Sequence, residues 1–332
     1  MIISRTPYRI SFFGGGTDYP SWYLKNGGSV LSSSINKYCY ITAKYSTNLN
    51  EIYHKIVWAH IEIVHSFNDI LHPAVREGIK QLDLDEKKGL EIFHSGDLPA
   101  RTGLGSSSSF CVGLINTLSN LVEKPLNKME LALKAIELEQ DILNEQVGSQ
   151  DQVAASFGGI NKIRFDQNGA ISVKKINISS ETIKLLNNNI GLYYTGTRIG
   201  RNSSDITDDM VKNFDSNHSL LTELESFVEE GISLLKKADI AEFGKLLHES
   251  WKIKKSLGKE ISNDLINEIY ETAIKNGAYG GKILGAGGAG FIMFIVPESH
   301  KKSLSIALNK YREVSFEFES TGSSIILNDQ TL

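Results

Sequence analysis

Cysteine is scarce in this chain. The two present, Cys39 and Cys111, sit among apolar neighbours. That excludes a disulfide scaffold and argues against a cysteine-ligated metal; both read as core fillers in a reducing compartment. Long apolar runs are missing too. No stretch approaches the roughly 20 residues of a membrane span. The first residues, Met-Ile-Ile-Ser-Arg-Thr-Pro, lack a basic region followed by an apolar run, so no signal peptide is expected. Nor is there an excess of positive charge: 35 Lys and Arg face 39 Asp and Glu, a net charge of −4. Such a balance gives no general pull toward nucleic acid or an anionic membrane. The expected setting is the cytoplasm, with neither kind of partner. The usual phosphate loop is absent as well, since no Gly-Lys-Ser or Gly-Lys-Thr occurs.

The 332 residues suggest two domains or one large one, and 41% hydrophobic with 22% charged content is ordinary for a globular protein. Tyr8–Phe13 reads as a strand that breaks into Gly14-Gly-Gly-Thr-Asp18. Ser29–Ile35, Tyr38–Tyr45 and Glu51–Trp58 read as an antiparallel meander, Pro73–Leu82 as a helix and Leu90–His94 as a strand. Strands and helices mix without a strict βαβ repeat, which favours α+β. A helix over Asn127–Glu145 opens with capping-box spacing at Asn127 and Glu130. A polar, Asn- and Lys-rich stretch around Gln167–Ile190 marks a domain boundary, giving expected domains 1–170 and 171–332. Helices are expected at Ser219–Lys237, Ile240–Leu257, Leu265–Asn276 and Lys301–Arg312, and strands at Ile190–Thr195, Val314–Glu319 and Ser323–Leu327.

Three stretches gather glycine. The middle one, Leu98-Pro-Ala-Arg-Thr-Gly-Leu-Gly-Ser-Ser-Ser-Ser-Phe110, runs into an apolar helical period at Phe110, Leu114, Leu118 and Leu121. Gly103-Leu104-Gly105-Ser106-Ser107-Ser108 therefore opens a helix. Glycine lets backbone approach a ligand, and the free N–H groups of a first turn favour an anion. This is a phosphate cradle in chemical terms; a plain serine-capped helix is the alternative. Gly14-Gly15-Gly16-Thr17-Asp18 suits a small polar ligand with Asp18 accepting from hydroxyls, or else is a simple turn. Arg9, inside a strand, could equally lie on a solvated face. Glu139 falls on an apolar helix stripe and needs a partner if buried, a cation being one; at a stripe edge it needs none. Asp151, in Gly-Ser-Gln-Asp-Gln, could be a base or a turn residue. Arg198 and Arg201, bracketed by glycines, suit an anionic group. The last stretch, Lys282-Ile-Leu-Gly-Ala-Gly-Gly-Ala-Gly-Phe291, is a turn delivering a buried strand.

Taken together, Thr6-Pro-Tyr-Arg-Ile-Ser-Phe-Phe-Gly-Gly-Gly-Thr-Asp-Tyr19, Pro99-Ala-Arg-Thr-Gly-Leu-Gly-Ser-Ser-Ser108 and the Lys282–Phe291 stretch resemble, in order and spacing, the three motifs of the GHMP kinase superfamily. The first motif is similar to the branch that includes heptose 7-phosphate kinases and L-fucokinases; galactokinases carry Gly-Glu-His where this chain has Gly14-Gly15-Gly16. The resemblance implies a ribosomal-protein-like N-terminal α+β domain and a ferredoxin-like C-terminal sandwich, with ATP and Mg2+ bound between them. It implies that Gly103, Leu104, Gly105, Ser106, Ser107 and Ser108 hold the ATP phosphates, and that Ser107 and Glu139 hold magnesium. Asp151 is implied as the proton acceptor and Arg9 as its assistant. Gly15, Gly16, Thr17 and Asp18, with Gly287 and Gly288 from the second domain, are implied at the sugar. The expected substrate is D-glycero-D-manno-heptose 7-phosphate, phosphorylated at its anomeric hydroxyl, with Arg198 and Arg201 on the 7-phosphate. An L-fucokinase-like enzyme and a non-catalytic sugar sensor are the alternatives. Oligomeric state is not legible.

Overall fold

The computed structural model describes residues 1–46, 51–197 and 203–329. Strands are β1 (Ile2–Phe13), β2 (Gly28–Tyr45), β3 (His54–Val57), β4 (Ile61–Val64), β5 (Leu90–Gly96), β6 (Ile160–Phe165), β7 (Ile171–Lys175), β8 (Ile190–Tyr194), β9 (Gly280–Ile283), β10 (Phe291–Ile295), β11 (Arg312–Glu313) and β12 (Ser324–Asn328). Helices are α1 (Pro20–Asn26), α2 (Pro73–Gln81), α3 (Ser106–Leu121), α4 (Lys128–Ile136), α5 (Gln150–Phe157), α6 (Ser180–Asn188), α7 (Ser203–Lys212), α8 (His218–Lys236), α9 (Ile240–Ser256), α10 (Asp264–Lys275) and α11 (Glu298–Ala307). Among the described residues these make a mixed eight-stranded sheet, with the path β12-β1-β2-β5-β3-β4 and β6-β7 joined to β2, and an antiparallel four-stranded sheet, β11-β8-β10-β9. The class is α+β.

The organising strand is β2. Its 18 residues pair with β1 along one edge, while its other edge carries β6 at Gly28–Ser33 and β5 at Cys39–Tyr45. The expected meander is thus corrected. Ser29–Ile35 and Tyr38–Tyr45 are one strand, with Asn36 and Lys37 bulging opposite the Pro7/Tyr8 step. Pro7 has no N–H to give the ladder, so the extra residues fall there. Nor does β3 pair with β2; it lies parallel to β5 and antiparallel to β4.

Helix α3 packs on β1 and β2, and α8 and α9 cover the junction with the second sheet. Phe12 and Phe13, at the end of β1, meet Phe243 of α9 edge to face at 5.4 and 5.1 Å. This aromatic contact joins the two sheets through one core. The chain then returns: β12 pairs with β1, and β7 belongs to the first sheet, so the two sheets do not divide the chain at a single point. Val314–Glu319 is largely irregular, with β11 preceding it and a single bridge from Phe318 to Ile35. The last helix ends at Ala307 rather than Arg312.

Candidate active site

The middle glycine stretch does begin a helix, at Ser106. Gly105 stands before it at φ 73°, ψ 27°, and among the described residues no side chain caps the helix. Leu104 is fully buried, and its carbonyl accepts from the Arg9 N–H at 3.1 Å, so the loop is pinned to β1 by an apolar anchor. Leu104 therefore faces the core, while Gly103, Gly105, Ser106, Ser107 and Ser108 line a cavity of about 610 Å³. Uncapped first-turn N–H groups beside such a cavity suit an anion.

Against this helix start stands an ion pair. Arg9 Nε donates to Asp151 Oδ1 at 2.6 Å and Nη2 to Oδ2 at 2.5 Å, while Nη1 donates to the Gly103 carbonyl at 2.7 Å. The guanidinium thus locks the carboxylate bidentately and ties it to the glycine loop. A Cβ on Gly105 would sit 3.2 Å from Asp151 Oδ2, which shows how close the carboxylate lies to the cradle. Arg9 is buried inside the sheet, not on a solvated face.

Glu139 is fully buried on the far side of the serines. It accepts from Ser107 Oγ at 3.0 Å and from Gln152 Nε2 at 2.6 Å. Burial pushes its carboxyl up to about 7, opposed by hydrogen bonds from Ser108, Gln152 and Ser107. The local backbone departs from the expected helix. After α4 the chain runs as a π-helical turn over Glu137–Ile142 and stops well short of Glu145. Such wide turns accommodate one extra residue and re-aim the side chains they carry.

The first glycine stretch also reaches the cavity. Asp18 is buried and accepts from the Gly16 N–H and Gln150 Nε2, each at 2.9 Å. Burial raises its carboxyl above the ordinary range, and nearby Asp151 adds to the rise. Gly14 cannot carry a side chain: at φ +80° a Cβ would meet the Ser29 carbonyl at 2.0 Å. Gly15, Gly16 and Asp18 line the cavity, whereas Thr17 turns away and donates to the Gly14 carbonyl at 2.8 Å.

From the second sheet come Lys282, Gly285 and Ala286. Gly287 and Gly288 do not line the cavity; they pack on Ile261 and Ile206, where a Cβ would come within 2.4 and 2.8 Å. The glycines instead allow two loops to meet back to back, since a Cβ on Gly103 would strike the Leu284 carbonyl at 2.3 Å and one on Gly285 the Gly103 Cα at 2.6 Å. Phe291 N–H donates to the Thr102 carbonyl at 3.0 Å, completing the seam. Arg198 and Arg201 lie outside the described residues.

Comparison with known proteins adds a decisive finding. The GHMP kinases N terminal domain matches residues 69–159, and GHMP kinases C terminal matches 232–318. The chain is 30% identical over 335 residues, covering 96% of both proteins, to D-glycero-alpha-D-manno-heptose 7-phosphate kinase of Campylobacter jejuni. The chain belongs to the GHMP kinase family. It is therefore a phosphotransferase with an alcohol group as acceptor. Among solved structures, D-glycero-D-manno-heptose 1-phosphate kinase of Bacteroides thetaiotaomicron shares the fold at TM-score 0.82 and 24% identity, over 99% of this chain and 100% of that one. The bifunctional fucokinase/GDP-fucose pyrophosphorylase of Arabidopsis thaliana is 24% identical over 92% of this chain and 31% of its own length.

For a GHMP kinase the implied metal is magnesium, and the residues fit it. Ser107 and Glu139 offer hard oxygen donors, and no cation is bonded to the buried Glu139 among the described residues. Among those residues no group of three His, Cys, Asp or Glu could hold an ion alone.

Several lining residues escaped the sequence reading. Trp58, His72, His94 and Phe110 form an aromatic wall, with His72 stacked on Phe110 at 4.8 Å and Trp58 edge-on to His72 at 4.7 Å. They come from separate elements, so no spacing announces them. Gln150, beside Asp151, lines the cavity, and Gln152 on its other side reaches Glu139 instead; both carried a readable signal, amides in a small-residue helix. Lys282, the charged residue of an otherwise apolar strand, was equally visible.

Proposed function

We propose that this chain transfers the terminal phosphoryl group of ATP to the anomeric hydroxyl of D-glycero-D-manno-heptose 7-phosphate, giving the 1,7-bisphosphate for nucleotide-activated heptose synthesis in the cytoplasm. The observation that carries the reading is the Arg9–Asp151 pair set against the Gly105 helix start. Gly103, Gly105 and Ser106–Ser108 hold the nucleotide phosphates. The aromatic wall suits the flat base. Asp18, with the backbone of Gly15 and Gly16, orients the sugar. Asp151 receives the proton of the attacking hydroxyl as that oxygen bonds the γ-phosphorus and the bond to the departing ADP oxygen breaks. Arg9 holds the carboxylate in position. Phosphoryl transfer asks mainly for such positioning and charge compensation. Ser107 and Glu139 would hold magnesium, which when bound neutralises phosphate charge. In this reading residues 1–170 and 171–332 form the two domains, with β7 and β12 of the second returning to the first sheet, and Arg198 and Arg201 contact the 7-phosphate.

The name of the Campylobacter relative supports heptose 7-phosphate as acceptor. The Arabidopsis match keeps an L-fucokinase-like reaction as the second reading. ADP release across sugars and sugar phosphates separates them, with phosphorus NMR locating the new phosphate. Preference for free fucose would replace the first reading by the second, and no turnover on any sugar would reject both.

A further inference from the structure

Among the described residues, four cations line the cavity: Arg9, Arg101, Lys254 and Lys282. Arg9 is engaged by Asp151 and Gly103, Lys254 donates to the Gly285 carbonyl at 2.6 Å, and Arg101 is exposed. Lys282 differs. It is buried on β9, every residue of which is buried, and its Nζ donates to the Phe12 carbonyl at 2.9 Å. Phe12 has that carbonyl to offer because the β1–β2 register slips between Ser11 and Phe13. An ammonium has three N–H donors, so two remain for a ligand.

Asp18 lines the same cavity. The two opposite charges feel each other, yet no ion pair joins them among the described residues. Ser11 Oγ and Gln150 Oε1, from residues that also line this cavity, are buried with no hydrogen-bond partner among the described residues. Buried polar groups left unpaired cost stability. A ligand that satisfies all of them must donate to Asp18 and accept from Lys282 within one small volume. Adjacent hydroxyls do both, whereas a phosphate is repelled by Asp18.

We propose that Lys282 is a substrate-binding residue that donates to a ring hydroxyl oxygen of the acceptor sugar, opposite Asp18. This rests on the sugar-kinase reading above. Lys282 reads the ring and not the distant phosphate, so it serves phosphorylated and free sugars alike. Burial lowers its pKa to about 7, and a ligand oxygen beside it favours the charged form.

The test compares wild type with Lys282→Met and Lys282→Gln. Loss of a charge-assisted contact should raise the sugar KM roughly ten- to a hundredfold, with the ATP KM within about twofold and the same factor for phosphorylated and free sugar. Lys282→Gln, which can still donate, should recover part of the loss. One deoxy sugar that is poor for wild type should suffer no further deficit in Lys282→Met. A folded Lys282→Met variant with unchanged sugar KM, or with sugar and ATP KM raised equally, overturns the proposal and leaves Lys282 as a tie between β9 and Phe12. Wild-type protein gives an independent readout if the variants do not fold. Sugar alone should slow reductive methylation of Lys282 and not of exposed Lys245; no protection overturns the proposal. A wild type that phosphorylates no sugar removes the sugar-kinase reading and this inference with it, whereas normal sugar turnover with an unaffected Lys282→Met variant removes this inference alone.

Discussion

Asp151 and Glu139 flank the same serine loop in opposite electrostatic circumstances. Asp151 has a full counter-charge, held bidentately by Arg9 at 2.5 and 2.6 Å. Glu139 has neutral donors and complete burial, and its carboxyl is pushed up to about 7. A compensated carboxylate is held ready in one orientation. An uncompensated one is a site waiting for positive charge, because burial without a partner disfavours its ionised form. In the function proposed above the two acids beside one cradle divide the work: Asp151 serves the acceptor and Glu139 a cation on the nucleotide.

The sharpest way to break this comparison is at Asp151. Asp151→Asn keeps the shape and removes the proton acceptor, so turnover should fall by ~10²–10⁴, while nucleotide affinity measured by calorimetry stays near wild type. Near-normal turnover would cancel the contrast. Glu139→Gln addresses the other side. The magnesium concentration for half-maximal rate should rise roughly ten- to a hundredfold, the scale of one charge-assisted contact. An unchanged magnesium dependence would make Glu139 a structural acid. The seam supporting both acids is tested by Gly103→Ala. Its Cβ would meet the Leu284 carbonyl at 2.3 Å at φ +86°, so thermal unfolding should show a loss of about 1–3 kcal/mol. A further test sharpens the comparison with a buried base. Lys282 has its pKa lowered from 10.5 to about 7 by burial and by Arg9, with Asp18 opposing. A lowered pKa means the buried ammonium costs stability, fully below about pH 7 and fading as pH rises toward the unfolded value. The melting temperature of Lys282→Met relative to wild type should therefore be highest near pH 6 and decline toward about pH 10. A flat difference would place Lys282 in water.

Much of this was legible in local pattern. The α+β class followed from strands and helices mixing without a repeat. The start of α3 followed from glycines before serines and an apolar period, and the capping box at Asn127 and Glu130 is present as spacing implied. What failed to show has a common cause. The single β2 strand hides behind Asn36-Lys37, which looks like a turn until Pro7 is seen opposite. The π turn that carries Glu139 has the composition of an ordinary helix. Gly287 and Gly288 lie against Ile261 and Ile206 rather than along the cavity, a placement that glycine spacing alone does not announce.

By itself, the sequence determined which residue types were available and in what order: three glycine-rich turns, the acids at 18, 139 and 151, and helices that start where local hydrogen bonding favours them. Local propensity acts over a few residues, so those features need no partner. Only the tertiary structure decided that Arg9 would meet Asp151, 142 positions away, and that Gly103 would press against Leu284. It also decided that Lys282 and Asp18 would line one cavity, with no ion pair between them among the described residues. Charge state, burial and reach depend on what packs alongside, and that is settled when the sheets close on each other.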